Sequence, residues 1–325
     1  MRVRPDNRSH VSLNSWQCCV ILFICLFVSI WGVSVPVWAD QAGTDSQDYP
    51  RAVTDDQQIS ITLTAAPERI ISLAPSNTEI LYALGLGDRI VGVTDYCNYP
   101  ADAKEKDTIG GFSTVSIEKV VALTPDLVVG SDGNNPEAIE RLRGMGIPVY
   151  MVDAKSMGDV QKTITNLGYL AGISDQASDL NKNLTARADA VTKVSGTMSV
   201  HPTIAHVVWH DPIYVSGSGT FQDELIRLCG GVNAFGLRDD HVITGVEEFI
   251  SLNPDILLIN SGSGMGGSDS EIAQYFRTEP RLAKLKAVTQ DHIIIVDTNI
   301  ADRAGPRLWD MLEEIAPQVR EISSD

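Results

Sequence analysis

Two acidic residues and a group of loop aromatics carry most of the chemistry this sequence offers. Glu118 and Glu247 hold the same place in two copies of one segment. Ser116-Ile117-Glu118-Lys119-Val120-Val121-Ala122-Leu123-Thr124-Pro125-Asp126-Leu127 echoes Gly245-Val246-Glu247-Glu248-Phe249-Ile250-Ser251-Leu252-Asn253-Pro254-Asp255-Ile256, at a constant offset of 129 residues. In each copy a helix ends, proline forbids its continuation, and aspartate opens the next turn. A glutamate in a first turn gains roughly a few tenths of a kcal/mol from the helix dipole, so a structural role and a functional one both stand open for the pair. The aromatic and polar set is Tyr96, Tyr99 and Phe112 in the first half, and Trp209, His210 and Tyr214 in the second. All are placed at strand-to-helix loops, which line the ligand crevice in α/β folds. Any one of them also suits a core position. Split between two halves, they suggest a cleft with apolar walls.

No catalytic residue is expected. The chain has no nucleophile elbow, no phosphate loop and no His-Glu-x-x-His. The Gly262–Gly267 stretch lacks dinucleotide spacing and reads as a flexible loop. Of His10, His201, His206, His210, His241 and His292, only His206 and His210 are close, and the run between them is strand-like. Neither a metal site nor a cofactor is expected. The enzymatic alternative is a base pair of His210 and Asp211, with no nucleophile or cofactor loop to serve it.

The elements that must position these residues alternate from Pro67 onward. Strands are expected at Arg69–Leu73, Ile90–Val93, Leu127–Val129 and Val149–Val152. Helices are expected after Ser76, over Ser116–Leu123 and over Ala138–Met145. Ser76 and Glu79 have capping-box spacing. Met157–Ala171 and the longer Ser174–Val194 form two successive helices with no strand between them, and the alternation restarts at Ile204–Trp209. A second echo pairs Thr78-Glu79-Ile80-Leu81 with Asp223-Glu224-Leu225-Ile226. Two echoes in one order imply two similar lobes rather than a solenoid. The expected fold is α/β: two lobes with mostly parallel sheets, joined by a single long helix. The expected domains are a signal peptide or N-terminal anchor (1–39), a flexible leader (40–66), an N-terminal lobe (67–173), the connecting helix (174–195) and a C-terminal lobe (196–325).

The first segment has Arg2, Arg4 and Arg8 ahead of an uncharged run from Val20 to Val37, and Val37-Trp38-Ala39 before Asp40. That is a secretory pattern, with an uncleaved anchor as its alternative. Its removal takes away three arginines and Asp6, moving the net charge from −17 to −19. So acidic a chain argues against nucleic acid and anionic lipid as partners. Cys97 and Cys229 remain after cleavage and are expected to be unpaired.

Leu73-Ala74-Pro75-Ser76-Asn77-Thr78-Glu79-Ile80 and Gly92-Val93-Thr94-Asp95-Tyr96-Cys97-Asn98-Tyr99-Pro100 resemble the opening of the cobalamin-binding receptors of ABC importers, within the iron-siderophore and cobalamin receptor family. The resemblance runs from about Pro67 to the C-terminus, through Cys229-Gly230-Gly231 and Arg303-Ala304-Gly305-Pro306-Arg307. It implies an extracytoplasmic receptor, periplasmic or on the outer face of the membrane, that captures a corrinoid between its lobes. It implies Pro75, Tyr96, Phe112, Trp209, His241 and Arg303 as ligand contacts. It also implies that Glu118 and Glu247 meet arginines of a dimeric permease, and two equivalent acids suit a two-fold partner. The chain departs from the pattern at His241, where an aromatic is usual, near Ser131, where tryptophan is usual, and at Ala316, near the missing partner of Cys229. The alternative cargo is a ferric siderophore or haem, with Arg303 and Arg307 as the cations to meet it.

Overall fold

The computed structural model describes residues 48–261 and 271–324. The expected signal segment and the Gly262–Gly267 loop lie outside the described residues. No helix among the described residues is long and apolar enough to cross a membrane.

The N-terminal lobe is built on a parallel sheet of β3 (Ile70–Ser72), β4 (Ile90–Val93), β5 (Asp107–Thr108), β6 (Leu127–Ser131) and β7 (Val149–Val152), in the order β5-β4-β3-β6-β7. Every pairing in it is parallel. Such strands are covered on both faces, which explains their unbroken Val/Ile/Leu runs. Val128, Val129 and Tyr150 are all fully buried. The helices are α1 (Pro75–Ala83), α2 (Ile117–Ala122), α3 (Pro136–Gly144) and α4 (Met157–Leu170). The chain leaves β3 toward β4 and β5, then crosses back to β6 and β7. That reversal opens a crevice at the carboxyl ends of β3 and β6.

Helix α5 (Ser174–Ser195) leads to the second lobe, and its 22 residues span about 33 Å. Arg187 fastens it to the last helix of the chain through Asp310 at 2.6 Å and Glu313 at 2.7 Å. The second sheet holds β8 (Thr203–His210), β9 (Ile213–Ser216), β11 (His241–Thr244), β12 (Ile256–Asn260) and β13 (Ile293–Val296), ordered β11-β9-β8-β12-β13, with the short β10 (Val232–Asn233) beside β8. It is mixed: β8, β12 and β13 pair in parallel, while β9 pairs antiparallel with both β8 and β11. Its helices are α6 (Phe221–Leu228), α7 (Val246–Leu252), α8 (Glu271–Thr278), α9 (Lys286–Thr289), α10 (Thr298–Ala301) and α11 (Leu308–Ile322).

The first echo is a repeated turn. Thr124 and Asn253 both take left-handed backbone, at φ 44° and 40°. Asp126 then accepts the backbone N–H groups of Glu68 and Arg69 at 2.8 and 2.9 Å, and Asp255 that of Thr203 at 2.8 Å. Each aspartate thus ties its turn to the start of its lobe's first strand.

The ordered chain begins earlier than expected. Residues 48–66 are not a flexible leader: β1 (Arg51–Thr54) and β2 (Ser60–Leu63) form an antiparallel hairpin. Arg51 is 2% exposed, lies between the rings of Tyr49 and Tyr169, and donates to the Tyr169 carbonyl at 2.7 Å. Asp55, equally buried, pairs with Arg143 at 3.0 Å. The polar composition that reads as a leader is the means of attachment.

A second correction concerns α1. Ala74 is its N-cap and makes no side-chain cap, so Ser76 and Glu79 form no capping box. Ser156 and Asp159 form one instead, at the start of α4.

Candidate functional site

A cavity of about 580 Å³ lies at the carboxyl ends of the strands and takes its lining from both lobes. Pro75, Tyr96, Phe112, Ser131 and Asp132 come from the first lobe; Phe221, Thr298, Asp302 and Arg303 come from the second. Pro75 follows β3, Tyr96 follows β4, and Ser131 and Asp132 end β6, so strand ends of the first lobe deliver one wall. The loop after β13 and helix α10 deliver the other. Phe112 is held there by its own backbone, whose carbonyl accepts from buried Asn134 at 2.7 Å.

Four of the six expected ligand contacts, Pro75, Tyr96, Phe112 and Arg303, therefore meet on one cavity. Trp209 and His241 do not line it. Trp209 packs against His210 at 4.7 Å and donates its indole N–H to the Asp211 carbonyl. His241 stacks on Tyr214 at 5.8 Å, because β11 pairs with β9 and sets the two rings side by side. Ser131 does line the cavity, where the resemblance led to a tryptophan. The His210–Asp211 base pair has no support: His210 is flanked by Trp209 and by Tyr275 at 5.0 Å, and its Nδ1 is buried without a hydrogen bond. Cys97 and Cys229 are both buried free thiols.

The electrostatics of the cavity depend on Glu79. This carboxylate is 4% exposed and belongs to the first lobe. Arg307 of the second lobe grips it with two bonds, Nε to Oε2 at 2.9 Å and Nη2 to Oε1 at 2.6 Å. Arg303 adds a third at 3.2 Å, and also donates to Asn98 Oδ1 at 2.7 Å, Asn299 Oδ1 at 2.8 Å and the Tyr96 carbonyl at 3.3 Å. Arg307 further lies over the Tyr99 ring at 4.2 Å. Burial works against its charge, but the Glu79 carboxylate outweighs that and holds its pKa above the ordinary arginine value. Both arginines expected to greet an anion are thus already engaged. Facing them are three lining carboxylates, Asp132, Asp153 and Asp302. Arg303 is the cation among the lining residues.

Behind Asp302 runs a buried polar chain. Asn260 Nδ2 donates to Asp302 Oδ1 at 2.9 Å, so its Oδ1 accepts from His206 Nε2 at 3.0 Å. His206 Nδ1 then accepts from the Ser216 hydroxyl at 2.8 Å. The tautomer follows from the amide orientation. Burial drives the His206 pKa down to about 4, so its ring is neutral, and burial also raises the Asp302 pKa.

The second echo reappears here as a crossed brace. Glu79 of α1 reaches across to the second lobe. Its counterpart Glu224 of α6 reaches back, and Oε2 accepts the N–H of Met157 at 2.7 Å, at the start of α4. Glu118 and Glu247 are not among the cavity's lining residues and are exposed on α2 and α7. Glu118 accepts from Ser116 at 3.2 Å, and its own backbone N–H with this hydroxyl lowers its pKa. Glu247 is paired with Arg281 at 2.7 Å, so the two are not electrostatically alike. Among the described residues no cluster of His, Cys, Asp and Glu is arranged to hold a metal ion.

Residues 70–300 match the periplasmic binding protein family. An ABC transporter substrate-binding lipoprotein of Bacillus subtilis is 31% identical over 286 residues, covering 86% of this chain and 88% of its own. A vitamin B12-binding protein of Vibrio cholerae is 28% identical over 268 residues, covering 81% and 94%. Among solved structures, the apo periplasmic heme-binding protein of Roseiflexus has a TM-score of 0.70 at 27% identity, covering 79% of this chain and 99% of that one. The periplasmic vitamin B12-binding protein of Vibrio cholerae has a TM-score of 0.68 at 26% identity, covering 80% and 99%.

Proposed function

We propose, from the premise that this chain belongs to the periplasmic binding protein family, that it is the extracytoplasmic receptor of an ABC importer and that its cargo is a corrinoid. The two-lobed cavity and its likeness to vitamin B12-binding and heme-binding proteins support the receptor role equally for either cargo. One observation favours a corrinoid. Arg303 and Arg307 are both spent on Glu79, while three carboxylates line the cavity. A haem or ferric siderophore with free carboxylates would bring further negative charge to that wall, at a cost in a partly desolvated site. A corrinoid presents neutral amide groups and a cationic metal centre, which suit carboxylates and the aromatic faces of Tyr96 and Phe112. In this reading Pro75, Tyr96, Phe112 and Arg303 hold the cargo. Glu118 and Glu247 present the loaded receptor to the permease. The chain performs no reaction on what it carries.

The cargo is tested by incubating the purified protein with cobalamin, cobinamide, haemin and a ferric hydroxamate, then desalting and recording visible spectra. The expected result is corrinoid absorption eluting with the protein, with haemin and iron complexes left behind. Retention of haemin in place of either corrinoid would establish the alternative cargo.

A further inference from the structure

We infer that Glu79, a residue behind the cavity wall, determines which charge of cargo the cleft accepts. This rests on the cavity being the cargo site. Glu79 and Arg307 do not line the cavity, whereas Arg303 does. The carboxylate bonds Arg303 at 3.2 Å from behind and Arg307 at 2.6 and 2.9 Å. Removing its charge therefore leaves the wall's shape in place and changes its potential. Arg303 then has no carboxylate partner, and its guanidinium is available to an anion on the cleft side.

The placement of Glu79 has no local explanation. It lies in α1 among the fully buried Thr78, Ile80 and Leu81, on a helix whose N-terminus it does not cap. An ionised carboxylate at such a place costs desolvation, and an apolar side chain of similar volume often stabilises a fold as well or better. Its effect on the cleft is specific. With Glu79 present, Asp132, Asp153 and Asp302 dominate the wall and favour a cationic or neutral cargo. Without it, the two guanidinium groups, held by Asn98, Asn299 and Tyr99, lose the one carboxylate with which both form ion pairs. Glu79 is a positioning residue for specificity, acting through Arg303.

The test compares two corrinoids with one ring and opposite charge: cobinamide, which is cationic, and cobyrinic acid, which carries carboxylates where cobinamide carries amides. The readout is the ratio of their Kd values, which a general loss of packing does not shift. Wild type is expected to prefer cobinamide. Glu79→Gln is expected to move the ratio toward cobyrinic acid by about tenfold. Arg307→Met, which leaves the whole Glu79 charge on Arg303, is expected to move it the other way. The double variant Glu79→Gln with Arg303→Met is expected to lose the gain. If Glu79→Gln does not fold, the sign of the Arg307→Met shift decides. An unchanged ratio in folded Glu79→Gln, or a shift toward cobyrinic acid in Arg307→Met, would overturn the inference. If wild type takes neither corrinoid, the cargo reading fails by itself. The same variants are then compared on haemin and its dimethyl ester, where a shift toward free-acid haemin in Glu79→Gln supports the inference and no shift overturns it.

Discussion

Reversing either exposed glutamate, as Glu118→Arg or Glu247→Arg, is expected to reduce cargo uptake by about tenfold or more while leaving cargo affinity unchanged. Each reversal sets cation against cation at a contact that loses part of its water, and about 1.4 kcal/mol is enough for a tenfold loss. Both side chains stand on short helices, away from the cavity lining. Surface changes of this kind alter fold stability by no more than about 0.5 kcal/mol. The two reversals are expected to be unequal. Glu247 shares its charge with Arg281 at 2.7 Å, whereas Glu118 has no ion-pair partner among the described residues. Glu118→Arg therefore removes the less compensated charge and has the larger effect, and Arg281→Ala is expected to strengthen docking through Glu247. Uptake of labelled cargo by cells that depend on this receptor, beside calorimetry on the purified variants, measures both quantities. A loss of cargo affinity in either reversal would place these residues in the cleft instead.

Acid is expected to weaken the fold through His206. This ring is fully buried and its pKa is lowered from 6.5 to about 4, chiefly by burial. A group depressed in this way keeps its proton off in the fold and takes it up when the chain unfolds. Between pH 6.5 and 4 the unfolded state binds more protons, so stability falls as pH falls. The stabilisation present above pH 6.5 declines by about 3 kcal/mol on reaching pH 4. Asp302 acts in the opposite sense. Its pKa is raised, by burial above all, so the fold holds its proton more tightly than the unfolded chain and the slope lessens toward the acid end. Urea unfolding of wild type and His206→Gln at pH 7, 5.5 and 4.5 is the check. The variant is expected to start less stable, having lost a fitted ring between Ser216 and Asn260, but to show the flatter profile. Parallel profiles would mean that His206 titrates normally in the fold.

Much of the fold was legible because its signals are local. The apolar runs at Ile70–Ser72 and Val149–Val152 are strands because both faces are covered, and no neighbour is needed to see it. The repeated Pro-Asp turn reported two lobes for the same reason, since a turn's chemistry lies within a few residues. The hairpin at Arg51–Leu63 escaped notice because its anchors are distant. Arg51 finds Tyr169, and Asp55 finds Arg143, 88 residues away. Before those partners are known, a charged residue in a polar stretch looks solvated.

The cleft shows the same division. Tyr96 and Phe112 were legible as loop aromatics beside strand ends. Glu79 was misread as a cap partner, since three residues after a serine is both the spacing of a cap and the position of a buried carboxylate. Only Arg303 and Arg307, 224 and 228 residues on, distinguish them. Arg307 has the chemistry of a cargo contact and is instead the main clamp on Glu79. Trp209 was read as a loop aromatic and His241 came from the resemblance alone; the pairing of β8 with β9 and of β9 with β11 holds the two away from the cavity lining. The second echo marked Glu79 and Glu224 as equivalent positions of two lobes; that each reaches across to the other lobe shows only once Arg307 and Met157 are in place.

The central claim is that one neutral or cationic corrinoid sits between the two lobes, against Tyr96 and Phe112. Calorimetric titration of the purified protein with cobinamide tests it most directly. A single saturable event at one corrinoid per chain is expected, weakened about tenfold by Phe112→Ala, which removes a large apolar contact. Absence of any corrinoid binding, with saturable uptake of haemin or a ferric hydroxamate by the same preparation, would contradict it.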